Sequence, residues 1–339
     1  MTRGVVLVTG ITGFVGTHTA LTFFESGYAV KGTARTAAKA EEWIARFPQW
    51  KSQYQYVVVQ DMSTPGAFDE AVKGCGIIAH TASPFHWNQG DNEKDMLIPA
   101  INGTKNILNA TKLESRIERV VLTSSLAAII DTSLDEPGKI WTHEDWNPAT
   151  YDEAKVSTNS HFVYRASKAL AERAFWDYIR DEKPTWSGTV VCPCGTFGPP
   201  LQPFASTSSL NTSVSIMWGI ASGTYKNGIP AAGSPVYVDV RDVAMAHLRA
   251  AELDVAKNQR YLLIGGSYLP SQLVEVIQHN FPELRDNLPP VDSTKLEVSA
   301  FKFDSSKARN ELGIPWRPFH IMIVDTIAPL LALQKQGKI

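Results

Sequence analysis

The chain has 339 residues, with 32 Lys and Arg against 34 Asp and Glu, a formal net charge of −2. That balance argues against nucleic acid or an acidic membrane surface as the main partner, and the length can bury a large core in one domain or two interlocked ones. Three cysteines, an odd number, fit a reducing compartment. Met1-Thr2-Arg3-Gly4 runs straight into the first strand without a signal-peptide pattern. The longest apolar run, 321–333, is interrupted by Asp325 and Pro329 and is too short to span a bilayer. It reads better as a helix packed on the core. Cys192-Pro193-Cys194 has neither the spacing nor the companions of a zinc site. The expectation is a cytoplasmic protein with no metal and no membrane or nucleic-acid partner.

Residues 5–9, Val-Val-Leu-Val-Thr, read as a buried parallel strand. A helix over 13–25 follows, ending at Ser26-Gly27. Gly10, Gly13 and Gly16 lie between them, with Thr12, Phe14 and Val15 interleaved. Glycines let the backbone approach a pyrophosphate, and the N–H groups of the helix start face it. The G-x-x-G-x-x-G spacing differs from the commoner dinucleotide pattern, and a closely packed turn is the plainer reading.

The second strand, 29–33, leads into Ala34-Arg35, with no acid until Glu41. An NAD site places Asp or Glu here for the ribose hydroxyl. Arg35, with Lys39 one helical turn on, suits a 2′-phosphate instead. Both could be mere solvated charges, but cations are mildly unfavourable at a helix start. Further strands are expected at 56–59, 77–80 and 119–123, and helices at 37–46, 67–72 and 96–112. This alternation implies an α/β, doubly wound parallel sheet. A helix at 162–180 and a strand at 188–192 continue it. From Pro184 through Tyr225 there is no charged residue. Core strands would explain part of that gap, while the Ser, Thr, Gly and Pro content favours a cap over a neutral pocket.

Tyr164 and Lys168 are four apart on the predicted helix and share a face. A nearby ammonium is expected to lower the phenol pKa from about 10 toward working pH, suiting a general acid. An isolated pair of this kind would ordinarily be a surface contact. Thr123-Ser124-Ser125 at the end of an apolar strand and the glycine turn shift the balance toward catalysis. His80, His86, His143 and His161 have no spaced carboxylate or second ligand, so a structural role is expected. His161, three before Tyr164, is the one considered as a pocket wall.

With Thr9 to Gly16, Thr33-Ala34-Arg35, His80 to Pro84, Val120 to Ala128, Trp146-Asn147-Pro148, Tyr164 to Lys168 and Phe197-Gly198-Pro199, the chain resembles the extended short-chain dehydrogenase/reductase family. The likeness is to its dihydroflavonol 4-reductase-like branch, with the fungal and yeast aldehyde, ketone and methylglyoxal reductases. The resemblance implies a Rossmann unit of residues 1–192 plus 237–264, interleaved with a substrate-binding unit of 193–236 plus 265–339. It implies NADPH as cofactor, Ser125 holding the substrate oxygen, Tyr164 as proton donor and Lys168 on the nicotinamide ribose. It assigns Asp61 and Met62 to the adenine side, Thr81, Ala82 and Ser83 to the nicotinamide side, and Pro193 and Thr196 to the carboxamide. Asp61 could equally cap a helix near Pro65.

Phe85, Trp87, Leu126, Ile130, Phe197 and Phe204 are expected as apolar walls. Leu126 and Gly195 stand where several relatives carry aromatic residues, which suggests a roomier pocket. The implied reaction is reduction of a neutral, bulky ketone or aldehyde by a monomer or homodimer. A sugar-nucleotide epimerase or dehydratase is the alternative enzyme. It would want acids after the serine, where Leu126-Ala127-Ala128 stands, and cations in the uncharged segment. A non-catalytic NADP sensor would be expected to lack Tyr164 or Lys168.

Overall fold

The computed structural model describes residues 3–83, 90–131, 138–229, 235–290 and 301–339. In chain order its strands are β1 (Val5–Thr9), β2 (Ala29–Ala34), β3 (Tyr54–Val58), β4 (Ile77–His80), β5 (Arg119–Thr123), β6 (Ile140–Trp141), β7 (Ser187–Pro193), β8 (Thr196–Phe197), β9 (Val236–Asp239), β10 (Gln259–Leu263), β11 (Gly266–Ser267) and β12 (Lys302–Phe303). The helices are α1 (Phe14–Glu25), α2 (Ala37–Arg46), α3 (Asp69–Val72), α4 (Ile98–Ala110), α5 (Tyr151–Val156), α6 (Ser160–Glu182), α7 (Thr212–Ser222), α8 (Val240–Glu252), α9 (Pro270–Asn280), α10 (Ser306–Leu312) and α11 (Phe319–Lys335).

Seven parallel strands form the main sheet in the order β10-β7-β5-β4-β1-β2-β3. Strand order reverses at β1, where Val5 pairs with Ala29 on one side and Val6 with Ile77 on the other. The crevice beyond the carboxyl ends of β1 and β4 is therefore the place where such sheets bind ligands. Helices cover both faces, so the central strands are continuous apolar runs. Phe23, Phe24, Trp43, Val238 and Tyr261 belong to one core. Leu7, Ile78, Ile107, Phe175 and Val190 belong to a second.

A third core is built from α7, α9 and α11, including Trp218, Ile277 and Ile327. Helix α11 turns Met322, Ile323, Ile327, Leu330 and Leu331 inward and carries Pro329 on its exposed side, as the sequence led one to expect. Burial of α7 accounts for much of the uncharged gap, since Val214, Met217, Trp218 and Ile220 are core residues. Two details differ from the sequence reading of the division into units. Strand β9 pairs with β8 and β11 in a small separate sheet. Ala308, Leu312, Ile314 and Trp316 pack into the first core, although they lie in the stretch assigned to the smaller unit. The expected helix over 96–112 is also divided. Pro99 lacks an N–H to donate, and a π turn at Glu93–Leu97 precedes α4.

Candidate active site

The glycine turn is shaped by close approach. Gly10 has φ +65°, and a Cβ there would stand 3.2 Å from Ala82 Cα. Gly13 N–H donates to the Gly10 carbonyl at 2.9 Å. A Cβ on Gly16 would press into that same carbonyl, so α1 can begin against the turn only with glycine at this position. Gly10 N–H donates to Thr33 Oγ1 at 3.0 Å and Ile11 N–H to Thr33 O at 3.1 Å, fixing the turn to the end of β2. Gly13 caps α1 without a side-chain acceptor, leaving the N–H groups of the first turn oriented for an anion. Thr12, Phe14 and Val15 are half-buried around it.

Thr9 ties β1 to β4. Its hydroxyl accepts from Ala82 N–H at 3.0 Å and bonds His80 Nδ1 at 2.9 Å, while Thr81 Oγ1 donates to its carbonyl. Burial lowers the His80 pKa to about 3, so this imidazole is neutral and structural, as expected. Arg35 and Lys39 are exposed just beyond β2, at the start of α2, where Thr36 is the N-cap. Asp61 forms a turn rather than a helix cap: Oδ1 accepts from Ser63 N–H at 2.8 Å and Ser63 Oγ at 2.7 Å. Those bonds hold its pKa below the usual carboxylate value. Met62 lies over Gly103 of α4, and Asn106 holds its carbonyl at 3.0 Å.

Tyr164 and Lys168 stand one turn apart on α6, with the Lys168 ammonium 5.9 Å from the Tyr164 ring centroid. Ser125 hydrogen-bonds the Tyr164 phenol. Ser125 starts a 3₁₀ turn over Leu126–Ala128, accepting from Ala127 N–H at 3.1 Å. Lys168 Nζ donates to Ser83 Oγ at 2.8 Å. The structure thus brings Ser83, Ser125, Tyr164 and Lys168 together, while the neighbouring Ser124 turns inward to Glu172.

The electrostatics correct one expectation. Burial raises the Tyr164 pKa above its ordinary value, with the Ser125 bond acting the other way. The ammonium does not bring the phenol down to working pH; burial instead lowers the Lys168 pKa to about 8. Near neutral pH the phenol therefore keeps its proton and Lys168 its charge.

The pocket walls differ more from expectation. A Cβ on Gly195 would stand 2.9 Å from Val236 O and 3.2 Å from the Phe197 ring. Glycine is there because β9 and Phe197 already fill the space, not because the pocket is roomier. Leu126 and Ile130 are 5% and 7% exposed and belong to the second core, rather than forming an open wall. Phe204 lies beneath the Arg46 guanidinium, 5.9 Å from ring centroid to Cζ, and packs on the third core. Phe197 is half-buried, edge-on to Tyr268 at 6.2 Å. His161 is exposed in the first turn of α6. Pro193 is buried at the end of β7. Thr196 is half-buried, with its carbonyl accepting from Ser213 and its hydroxyl donating to Cys194 O. Phe85 and Trp87 lie outside the described residues.

Sequence reasoning missed the support behind the site. Asn147 Nδ2 donates to Ala127 O at 3.2 Å and Ile130 O at 2.8 Å, bracing the turn after Ser125. Glu172, wholly buried, accepts from Arg260 Nε at 2.5 Å. Its spacing from Tyr164 and Lys168, one further turn along the same stripe of α6, was the available signal.

Comparison with known proteins identifies the family. The model of the NAD dependent epimerase/dehydratase family matches residues 6–265. The ketoreductase azaE of Aspergillus niger is 36% identical over 337 residues, covering 96% of this chain and 97% of that protein. The NADPH-dependent methylglyoxal reductase GRE2 of Saccharomyces cerevisiae is 31% identical over 341 residues, covering 97% and 98%. Gre2 of Candida albicans, solved in complex with NADPH, is 35% identical with a TM-score of 0.89 over 97% of this chain and 99% of that one.

Proposed function

The chain belongs to the NAD dependent epimerase/dehydratase family, and we propose that within it this protein is an NADPH-dependent carbonyl reductase. The observation that carries the reading is the Ser125–Tyr164–Lys168 arrangement beside the glycine turn. The residues fit the cofactor. Gly10, Gly13 and Gly16 leave room for a pyrophosphate against the start of α1, with Thr12, Phe14 and Val15 around it. Arg35 and Lys39 would grip a 2′-phosphate where an NAD site carries an acid. Asp61 and Met62 would flank the adenine, Thr81, Ala82 and Ser83 the nicotinamide, and Pro193 and Thr196 its carboxamide.

When bound, NADPH supplies the hydride. The protein's own part is to hold the carbonyl and deliver a proton. Ser125 and Tyr164 would both donate to the substrate oxygen, stabilising the negative charge that develops there. Tyr164, kept protonated by burial, then gives its proton to that oxygen. Lys168 holds the ribose and stabilises the tyrosinate left behind, which is where its charge matters. Ser83, bonded to Lys168, orients it.

The substrate is a neutral ketone or aldehyde. Support comes from the part of the uncharged stretch outside the buried α7, which supplies β8 and Phe197, where a carboxylate would lose hydration without finding a cation. The reading includes a cytoplasmic enzyme, in keeping with three cysteines that form no disulfide, acting as a monomer or homodimer. Among the described residues no helix is long and apolar enough to cross a membrane. The test is NADPH oxidation against aryl ketones, bulky keto esters, pyruvate-like acids and a sugar nucleotide. Higher specificity constants for the neutral carbonyls are expected; turnover of the sugar nucleotide alone would refute the reading.

A further inference from the structure

Behind the site lies a buried ion pair that the reduction itself does not use. Glu172 has 0% and Arg260 8% of its surface exposed. Arg260 Nε donates to Glu172 Oε1 at 2.5 Å and Nη2 to Oε2 at 3.2 Å. Trp176 Nε1 also donates to Oε1, at 3.3 Å, and Ser124 Oγ to Oε2. Arg260 is itself held by His143 O at 2.8 Å and by Asp145 O, reaches Ala128 O at 3.4 Å, and stacks 3.9 Å from the Trp146 ring.

Glu172 is four residues beyond Lys168 on α6, the spacing at which a carboxylate and an ammonium meet. Both line one small cavity between α4, α6 and the ends of β4 and β5, together with His80, Ser83 and Ser124. Yet the ammonium bonds Ser83, on the side where the cofactor would lie, because both Glu172 oxygens are engaged by Arg260 and their neighbours.

We propose that Arg260 is a positioning residue, which keeps the Glu172 carboxylate occupied and so leaves Lys168 directed at Ser83, Tyr164 and the cofactor ribose. This rests on the role given to Lys168 above. Replacing Arg260 leaves a buried carboxylate without its cation, and the nearest other cation on its helix face is Lys168. The other groups around the pair are engaged elsewhere or neutral: Arg173 donates to Asn147 O at 3.3 Å and stacks 4.7 Å from the Trp146 ring, and burial lowers the His143 pKa below its ordinary value. His80 on β4 is neutral, with its pKa held at about 3 by burial. Cys192 on β7, 3.7 Å from Glu172 Oε2, has its thiol pKa pushed up by burial. Tyr164 stays protonated. Arg260 also braces Ala128 O, so it supports the turn that carries Ser125.

The sign of the pH effect follows. Turnover needs the Lys168 ammonium and falls as pH rises through its pKa, about 8. A Glu172 released from Arg260 favours the ammonium, so it moves the alkaline limb of the rate profile up, by about one pH unit. It also draws Nζ away from the ribose, so the plateau falls. A purely structural ion pair lowers stability without moving the limb.

The experiment compares pH profiles of NADPH-dependent turnover for wild type, R260M, S124A, R260M/E172Q and K168A, each at a temperature where circular dichroism shows it folded. R260M is expected to raise the limb and to lose at least about tenfold in kcat, one charge-assisted contact's worth. S124A, which frees one oxygen and removes no charge, should move the limb the same way by less, and it decides the question if R260M does not fold. R260M/E172Q should return the limb and recover most of the lost rate. An unmoved limb in folded R260M and S124A, or a double variant no better than R260M, overturns the inference. An inactive K168A alongside unmoved limbs overturns this inference alone, whereas K168A with wild-type turnover overturns the reading of Lys168 as well.

Discussion

Gly16→Ala adds one methyl group where α1 meets the glycine turn. The Cβ would come within 2.9 Å of the Gly10 carbonyl carbon and 3.0 Å of Thr81 Oγ1, and closer still to the Gly10 oxygen. The obstructing group is backbone, so the start of α1 must move. Overpacking of this kind costs about 1–3 kcal/mol, which corresponds to roughly 2–4 °C in Tm for each kcal/mol in a large domain. Cofactor affinity should suffer more, because the displaced N–H groups are the proposed phosphate donors. Loss of one charge-assisted hydrogen bond to the phosphate costs roughly 10- to 100-fold in affinity. Gly13→Ala is the internal control for folding alone: its Cβ would meet only the Gly10 oxygen, at 3.2 Å, which a small shift relieves, although the methyl would enter the room proposed for the pyrophosphate. Thermal melts should therefore rank Gly13→Ala as mild and Gly16→Ala as severe, and calorimetric titration should show NADPH binding weakened in Gly16→Ala. A Gly16→Ala protein that binds NADPH within a few-fold of wild type would refute the reasoning.

Arg35→Ala removes the proposed 2′-phosphate contact and should raise KM for NADPH by roughly 10- to 100-fold, the worth of a hydrogen bond to a charged group, with little change for NADH; equal effects on both cofactors would remove Arg35 from that role. In wild type, kcat/KM should fall as pH rises through about 8, because Lys168 loses its charge there while Tyr164, with its pKa raised, keeps its proton. A profile flat from pH 7 to about 10, the ordinary tyrosine range, would show that Lys168 does not govern the rate.

What the sequence made legible follows local rules. Strand β1, the glycine turn and α1 were readable because a buried parallel strand and a tight phosphate turn each restrict residue type at fixed spacing. That Tyr164 and Lys168 share a face of α6 was readable from their helical spacing, whereas Ser125 was singled out from Ser124 by the family resemblance, and it is the serine that stands beside the phenol. The pocket was not. Gly195 looked like space vacated by an aromatic side chain, yet Val236 O and Phe197 occupy it. Whether a glycine marks room or crowding depends on which distant strand passes beside it. Leu126 and Ile130 looked like walls for the same reason: apolar character does not say which side of a turn faces the core. Glu172 and Arg260 are 88 residues apart, so their pairing could emerge only from the placing of β10 beside β7.

The most direct test of the central claim is Tyr164→Phe, measured as NADPH oxidation with a bulky aryl ketone alongside NADPH binding. The ring and its packing remain while the proton donor is lost. The account predicts unchanged cofactor affinity and a fall in kcat of about 100- to 10,000-fold, the range of general acid catalysis. Turnover within a few-fold of wild type, with the same substrate preference, would contradict it.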